Sequence, residues 1–200
     1  MKESLELTIE EFKKIDVKEA CQKSGAILKD EKTIIVRYLN SDYIIHLPEV
    51  EITSPDVKLT DNQKNLILHY IITSKTTLLT GKLIDFRLVP GGNMYYSVFE
   101  ARVHKPLLKT FGNNPEVFME AGKSFGGIKA EYGNFALTFQ VFPKVLVTFI
   151  LYPGDEEFPP DCKVLFDSSI SDYLSTEGIA VACEELVKEL VTKPGEKDYE

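Results

Sequence analysis

The sequence has few cysteines and no long apolar segment, and both absences narrow the range of functions. Its three cysteines, Cys21, Cys162 and Cys183, lie far apart without a CxxC pair, so neither a zinc knuckle nor an iron–sulfur motif is present. No apolar run approaches the roughly 20 residues needed to span a bilayer, and we expect no signal peptide because the start, MKESLELTIEEF, is too charged for one. We therefore expect a cytoplasmic protein with reduced thiols and no membrane partner.

Positive charge is also scarce. The chain contains 23 Lys and Arg against 31 Asp and Glu, which gives a formal net charge of -8 and a pI near 5.1. A surface that binds nucleic acid needs clustered Lys and Arg to neutralise phosphates, so we expect no nucleic-acid partner. The 200 residues, 44% of them hydrophobic, suffice for one sizeable core.

Strand signals occur in both halves of the chain. β-Branched and aromatic residues predict one hairpin from 33–39 and 42–47, and a second from 135–142 and 145–152. The run 145–152 is apolar on both faces, which predicts a strand in the interior of a sheet. A further short strand is expected at 163–166.

Helix signals are interspersed with these strands. Capping residues predict helices beginning at Thr60 and Thr176, each followed by an apolar stripe. Together the patterns predict a single α+β domain over 1–192, with a mostly antiparallel sheet and several helices packed against it. The polar segment 193–200 is predicted to be a flexible tail.

The most informative stretch is 83–112, in which a short strand enters a Pro90-Gly91-Gly92 loop and an amphipathic helix leaves it. Glycine lets the backbone adopt a positive φ or approach a ligand closely. The first amides of a helix have no internal acceptor, and the helix dipole favours negative charge there. With Asn93 as the predicted N-cap, the loop and helix start form a candidate anion cradle.

Arg87 would supply a guanidinium group to this cradle. On a strand, Asp85 and Arg87 point to the same face, so a simple Asp85–Arg87 pair is the alternative, and two glycines before a helix are also ordinary turn residues. We predict no metal ligands here. The candidate ligand-binding residues are Arg87, Gly91, Gly92, Tyr95 and Arg102.

Pro106 interrupts the helix that follows the loop. Because it cannot donate to the carbonyl of Arg102, we expect a kink or a restart there. The kink would leave a carbonyl beside Arg102, His104 and Lys105. These basic side chains either bind an acidic group or form a solvated face.

The loop 154–161 is acidic, and its carboxylates are suited to a hard cation such as calcium or magnesium, although their spacing is not that of an EF-hand. A solvated loop is the alternative. An enzyme built on this chain would draw its acid–base groups from Asp155, Glu156, Asp167 and His104.

Several motifs are shared with one known family: Phe86-Arg87 with Pro90-Gly91-Gly92, Pro106-Leu107, Tyr132-Gly133, Gly154-Asp155-Glu156-Glu157-Phe158-Pro159-Pro160 and Phe166-Asp167. Through them the chain, from about Tyr38 to Leu190, resembles domain-of-unknown-function family 3786 of anaerobic bacteria and archaea. Some members carry an added cysteine-rich module resembling those of corrinoid iron–sulfur proteins, which this chain lacks. The resemblance implies relatives without implying a reaction, a cofactor or catalytic residues.

Three classes of function remain open. The first is a non-catalytic accessory domain of anaerobic metabolism that binds an anionic small molecule at the glycine loop. The second is an enzyme that uses the carboxylates for acid–base or metal-assisted chemistry, which requires those groups to converge in a pocket. The third is a protein-interaction domain, which requires a large apolar surface patch. The sequence leaves the cofactor and the oligomeric state unknown.

Overall fold

The helices follow the predicted capping and apolar patterns. The computed structural model describes residues 5–54 and 58–192, so the predicted tail at 193–200 lies outside the described residues. A π-helical turn, Glu100–His104, joins α4 and α5 into one continuous helix. The helices are α1 Leu5–Phe12, α2 Val17–Ser24, α3 Asp61–Thr73, α4 Gly92–Phe99, α5 Lys105–Phe111, α6 Pro115–Ser124 and α7 Thr176–Thr192.

The strands form two antiparallel sheets, ordered β1-β2-β3-β4 and β5-β9-β8-β7-β6. The predicted α+β class and antiparallel pairing are confirmed, but the strands divide between two sheets where the sequence suggested one. The first sheet contains β1 Ile27–Asp30, β2 Thr33–Tyr38, β3 Ser41–His46 and β4 Glu51–Thr53. The second contains β5 Leu83–Asp85, β6 Ile128–Lys129, β7 Phe135–Phe142, β8 Val145–Tyr152 and β9 Asp161–Asp167.

A stack of aromatic rings joins the two sheets to α3. Tyr38 of β2 stacks on Phe142 of β7 with ring centroids 4.8 Å apart, and Phe142 stacks on Tyr70 of α3 at 4.1 Å. The Tyr70 hydroxyl donates to the Ser24 carbonyl at 2.5 Å and accepts from the Lys144 amide at 3.2 Å. Because all three rings are fully buried, both sheets share one core.

A second aromatic cluster sets the position of the loop that follows β5. Phe86, just after this strand, stacks on Phe99 of α4 with centroids 3.9 Å apart, and Phe166 of β9 meets both rings edge-on. β5 pairs with β9, so that Ile84 lies opposite Phe166. The cluster therefore holds the start of α4 against the β5–β9 edge of the second sheet.

Among residues 5–54 and 58–192, no helix combines the length and apolar character required to cross a bilayer. α7 has an apolar stripe of Ile179, Ala182, Cys183, Leu186 and Leu190 buried in the core, and charged residues on its other side.

Candidate functional site

The loop that carries Arg87 begins with a capped turn. β5 ends at Asp85, and residues Phe86–Leu88 form a 3-10 turn in which an Asp85 side-chain oxygen accepts from the Arg87 amide at 2.8 Å. The expectation that Arg87 continues the strand is therefore wrong, because the Asp85 carboxylate satisfies an amide of the turn. Asp85 thus contacts the Arg87 backbone and forms no side-chain ion pair with it among the described residues.

The two glycines serve different purposes. Gly91 has φ 72 and is the N-cap of α4, the position predicted for Asn93, and a Cβ on Gly91 would meet no atom within 4 Å. Gly92 is buried, and a Cβ there would lie 1.9 Å from the Phe86 carbonyl oxygen. Gly91 thus makes the turn and faces open space, whereas Gly92 permits close packing. No side chain caps the start of α4.

Arg87 lies over an aromatic ring, with its guanidinium carbon 3.7 Å from the Tyr96 ring centroid. The chain has three arginines. Arg37 pairs with Asp42 at 3.2 Å, and Arg102 meets Glu184 of α7 at 3.7 Å. Within the described part of the chain, Arg87 forms no ion pair. Its N–H groups are therefore held in place by a cation–π contact and remain available to a ligand.

The structure brings only part of the predicted site together. Arg87, Gly91 and Gly92 lie on the same short loop, as the sequence suggested. Tyr96, which we did not select, lies beneath Arg87, whereas Tyr95 is half-buried against the core. Arg102 points toward α7 and forms its ion pair there. The predicted cluster thus loses Tyr95 and Arg102 and gains Tyr96.

A π-helical turn lies directly before Pro106, at the predicted kink. The Lys105 amide donates to the Glu100 carbonyl, five residues back, and Pro106 has no amide hydrogen for the carbonyl of Arg102. His104 is only 7% exposed, so its predicted place on a solvated basic face is wrong. π-Helical turns are often found at functional sites.

His104 packs into the same aromatic surface as Arg87. Its ring meets Tyr96 edge-on at a centroid distance of 5.8 Å and Phe99 at 5.4 Å. Neither ring nitrogen forms a hydrogen bond with another described residue. The four-residue spacing of Tyr96, Glu100 and His104 on one helix is the sequence signal that would have identified this face.

Burial lowers the pKa of His104 from its ordinary 6.5, and the nearby Glu100, Asp85 and Asp161 carboxylates offset part of this shift. The imidazole is therefore neutral at pH 7. Burial also raises the pKa of the Cys162 thiol to about 12, with further contributions from Asp161 and Glu100. Cys162 is therefore a protonated thiol and not a nucleophile at neutral pH.

Asp167 is saturated with hydrogen bonds. It accepts from the Thr80 amide at 3.1 Å, the Gly81 amide at 2.7 Å and the Ser169 amide at 3.0 Å, and from the hydroxyls of Thr80 and Ser169. Burial alone would raise the pKa of Asp167, but the bonds from Ser169, Thr80 and Gly81 outweigh it and lower the pKa to about 2. The carboxylate ties the 80–81 loop to the end of β9.

The acidic loop, 154–161, lies at the opposite end of β9 from Asp167. Asp155 accepts from the Phe158 and Glu157 amides at 2.8 and 2.9 Å, and these bonds lower the pKa of Asp155. The loop lines an open depression of about 490 Å³ with Asn113. β9 separates this loop from Asp167 by roughly 20 Å of extended strand, so the predicted acid–base groups do not converge.

The described residues contain no group of three or more His, Cys, Asp or Glu side chains placed to hold a metal ion. The acidic loop accordingly contributes hydrogen bonds to its own backbone, as in the Asp155 turn. The candidate site is therefore the surface of Arg87, Tyr96, Glu100 and His104, with the open Gly91 turn beside it. We call this set the Tyr96 face.

Comparison with known proteins bears out the resemblance seen in the motifs. A family model described as a domain of unknown function, DUF3786, matches residues 16–189. No curated protein and no solved structure matches the chain. The matched region contains the whole Tyr96 face, while the family description assigns it no ligand or reaction.

Proposed function

Since the chain belongs to the DUF3786 family, whose description names no reaction, we propose its function from the site itself. We propose that it is a non-catalytic domain that binds a small anionic molecule at Arg87. The anionic group is a carboxylate or a phosphate, because both match the guanidinium fork.

The observation that carries this proposal is the unpaired state of Arg87. Its side chain is exposed and rests on Tyr96, yet it forms no ion pair with a described residue, although Asp85 lies two positions away. The contact with Tyr96 restricts the position of the guanidinium group, so binding of an anion would cost less side-chain entropy. An arginine that contributed only to solubility would not require a contact with an aromatic ring.

The surroundings of Arg87 suit an organic anion. The start of α4, opened by Gly91, lacks a side-chain cap and lies at the positive end of the helix dipole, while the Gly92, Met94 and Tyr95 amides donate to backbone carbonyls. Leu88 is 71% exposed and Met94 is 91% exposed on either side of this turn. These apolar side chains would contact the carbon skeleton of the ligand.

The same two apolar side chains also favour a second candidate, a protein-interaction domain, because exposed apolar residues mark binding surfaces. The enzyme hypothesis has less support. Asp155 and Asp167 accept backbone hydrogen bonds at separate ends of β9, and general acid–base catalysis requires groups within reach of one substrate.

The cellular setting belongs to the same proposal. The free cysteines Cys21, Cys162 and Cys183 are all buried, which is consistent with the reducing cytoplasm. The anaerobic context rests on the motif resemblance alone. We propose that the domain serves as an accessory ligand-binding unit in such cells.

A thermal-shift screen with phosphate, nucleotides and small carboxylates tests the proposal. A compound that binds the native protein raises its melting temperature by mass action. The variant Arg87→Gln should lose that shift while melting close to the parent, because an exposed cation–π contact contributes only about 0.5–1 kcal/mol.

Arg37→Gln is the matched control, since Arg37 is also an exposed arginine but pairs with Asp42. It should keep the ligand-induced shift. An equal shift in the parent and Arg87→Gln would refute the proposed site. A screen without any shift, together with self-association that is abolished by Met94→Ser, would support the interaction alternative.

A further inference from the structure

We propose that the ligand of the Tyr96 face is an aminocarboxylate, with its carboxylate at Arg87 and its ammonium group beside His104 and Glu100. This inference rests on the proposed function and specifies its ligand. It follows from the ring nitrogens of His104, which reach the surface without a partner among the described residues, and from the distribution of charge around them.

The first observation is the state of His104. The residue is only 7% exposed, but its ring nitrogens are not among the buried side-chain atoms that lack a partner, so they reach the surface, and neither bonds to a described residue. Since a neutral imidazole has one accepting and one donating nitrogen, a ligand that donates a hydrogen bond would satisfy the accepting nitrogen.

The second observation is the charge around the imidazole. The carboxylates of Glu100, Asp85 and Asp161 and the guanidinium of Arg87 all interact electrostatically with His104. Three of these four groups are negative. A ligand group that reaches this end of the face is favoured if it is positive, because it enters next to carboxylates that Arg87 alone does not neutralise.

The third observation is the short distance between the two ends of the face. The Arg87 guanidinium carbon lies 3.7 Å from the Tyr96 ring centroid, and the His104 ring centroid lies 5.8 Å from that same point. Glu100 follows Tyr96 by one helical turn, which is roughly 5 Å along the axis. A molecule with a chain of about four carbons and a charged group at each end spans such a distance. Its carbons would contact the Tyr96 ring.

Matched four-carbon probes test the inference directly. Butyrate, butylamine and 4-aminobutyrate share a carbon skeleton and differ only in their charged ends. NMR titration of the whole chain should detect both acids, with 4-aminobutyrate binding about tenfold more tightly than butyrate, because its ammonium adds a charge-assisted hydrogen bond. Butylamine alone should bind more weakly than either acid.

Two variants test whether this preference depends on His104 and Glu100, which form the inner end of the face. His104→Phe keeps an aromatic ring against Tyr96 and Phe99 but removes both nitrogens, and Glu100→Gln removes one carboxylate at the surface. Each should bring the ratio of the 4-aminobutyrate affinity to the butyrate affinity from about ten toward one. Glu116→Gln, an exposed acid on α6, should retain the preference, and Glu100→Gln carries the test if His104→Phe does not fold.

The outcomes separate the two proposals. Equal affinities for butyrate and 4-aminobutyrate in the parent would overturn the aminocarboxylate inference and leave an anion site at Arg87. A preference that persists in both inner-end variants would overturn it as well. Absence of binding by both acids at tens of millimolar would overturn the proposed carboxylate site and this inference together, whereas phosphate binding lost in Arg87→Gln would preserve only the proposed function.

Discussion

Asp167 offers the sharpest test of the interpretation that the carboxylates of this chain hold its loops. In Asp167→Asn one acceptor oxygen becomes an amide group, which has no lone pair to offer the donors that surround it. The Gly81 amide, 2.7 Å from one carboxylate oxygen, or the Ser169 hydroxyl, 2.6 Å from the other, would then lose its acceptor. Leaving a buried donor unsatisfied costs about 1–3 kcal/mol.

The lowered pKa of Asp167 gives an independent value for the stability that its hydrogen bonds contribute. The Asp167 carboxyl has an ordinary pKa of 3.8 and a pKa of about 2 in the fold. At 1.36 kcal/mol per unit, this difference corresponds to roughly 2.5 kcal/mol of stability. Because the folded value is depressed, the contribution is complete above pH 3.8 and is lost as the pH falls toward 2. About 1 kcal/mol of it should be lost by pH 3.

Urea unfolding of the parent and Asp167→Asn at pH 7, 4 and 3 measures both quantities. We expect the free energies of unfolding of the two proteins to differ by roughly 2–3 kcal/mol at pH 7. This difference should narrow by about 1 kcal/mol at pH 3. Asp155→Asn is the control, because Asp155 also accepts two backbone amides but lies in an exposed loop, where water replaces the lost bonds. A difference between parent and Asp167→Asn that stays constant from pH 7 to pH 3 would refute the argument.

Two further predictions concern packing. Gly92→Ala should destabilise the protein by about 1–3 kcal/mol in urea unfolding, because its Cβ would overlap the Phe86 carbonyl. Gly91→Ala should cost about 1 kcal/mol, from the positive φ alone. A larger loss of stability in Gly91→Ala than in Gly92→Ala would contradict the packing described. The three buried thiols should resist Ellman's reagent in the native protein and react only at the rate of unfolding; rapid labelling of Cys162 without denaturant would show that the β9 edge opens.

The regular elements were predictable because their signals are local. The β7 and β8 hairpin occupies Phe135–Phe142 and Val145–Tyr152, as the alternation of apolar residues indicated. Thr60 forms the expected capping box with Gln63. The packing of two separate sheets on one core was not predictable in the same way, since it depends on the stacking of Tyr38 on Phe142, a contact between residues far apart in sequence.

The site was only partly predictable, for physical reasons that differ between its residues. Arg87 and the glycine turn have short-range signals and lie on one short loop, although Arg87 is in a 3-10 turn and not on the strand. The role of Asp85 as a cap depended on where β5 ends, which strand propensity does not determine. His104 was grouped with the basic residues Arg102 and Lys105, although its four-residue spacing from Glu100 places it on the face of Tyr96, and the π-helical turn that contains it has no simple sequence signal.

Three backbone irregularities meet at Tyr96, and each follows from one residue. The Asp85 cap ends β5 and turns Arg87 toward the helix. The absence of a Cβ at Gly92 lets the start of α4 approach the Phe86 carbonyl, so that Tyr96 lies under the guanidinium. The π-helical turn before Pro106 brings His104 to the edge of the same ring. Their convergence on one aromatic ring beside an unpaired arginine is the arrangement that the proposed ligand site would require.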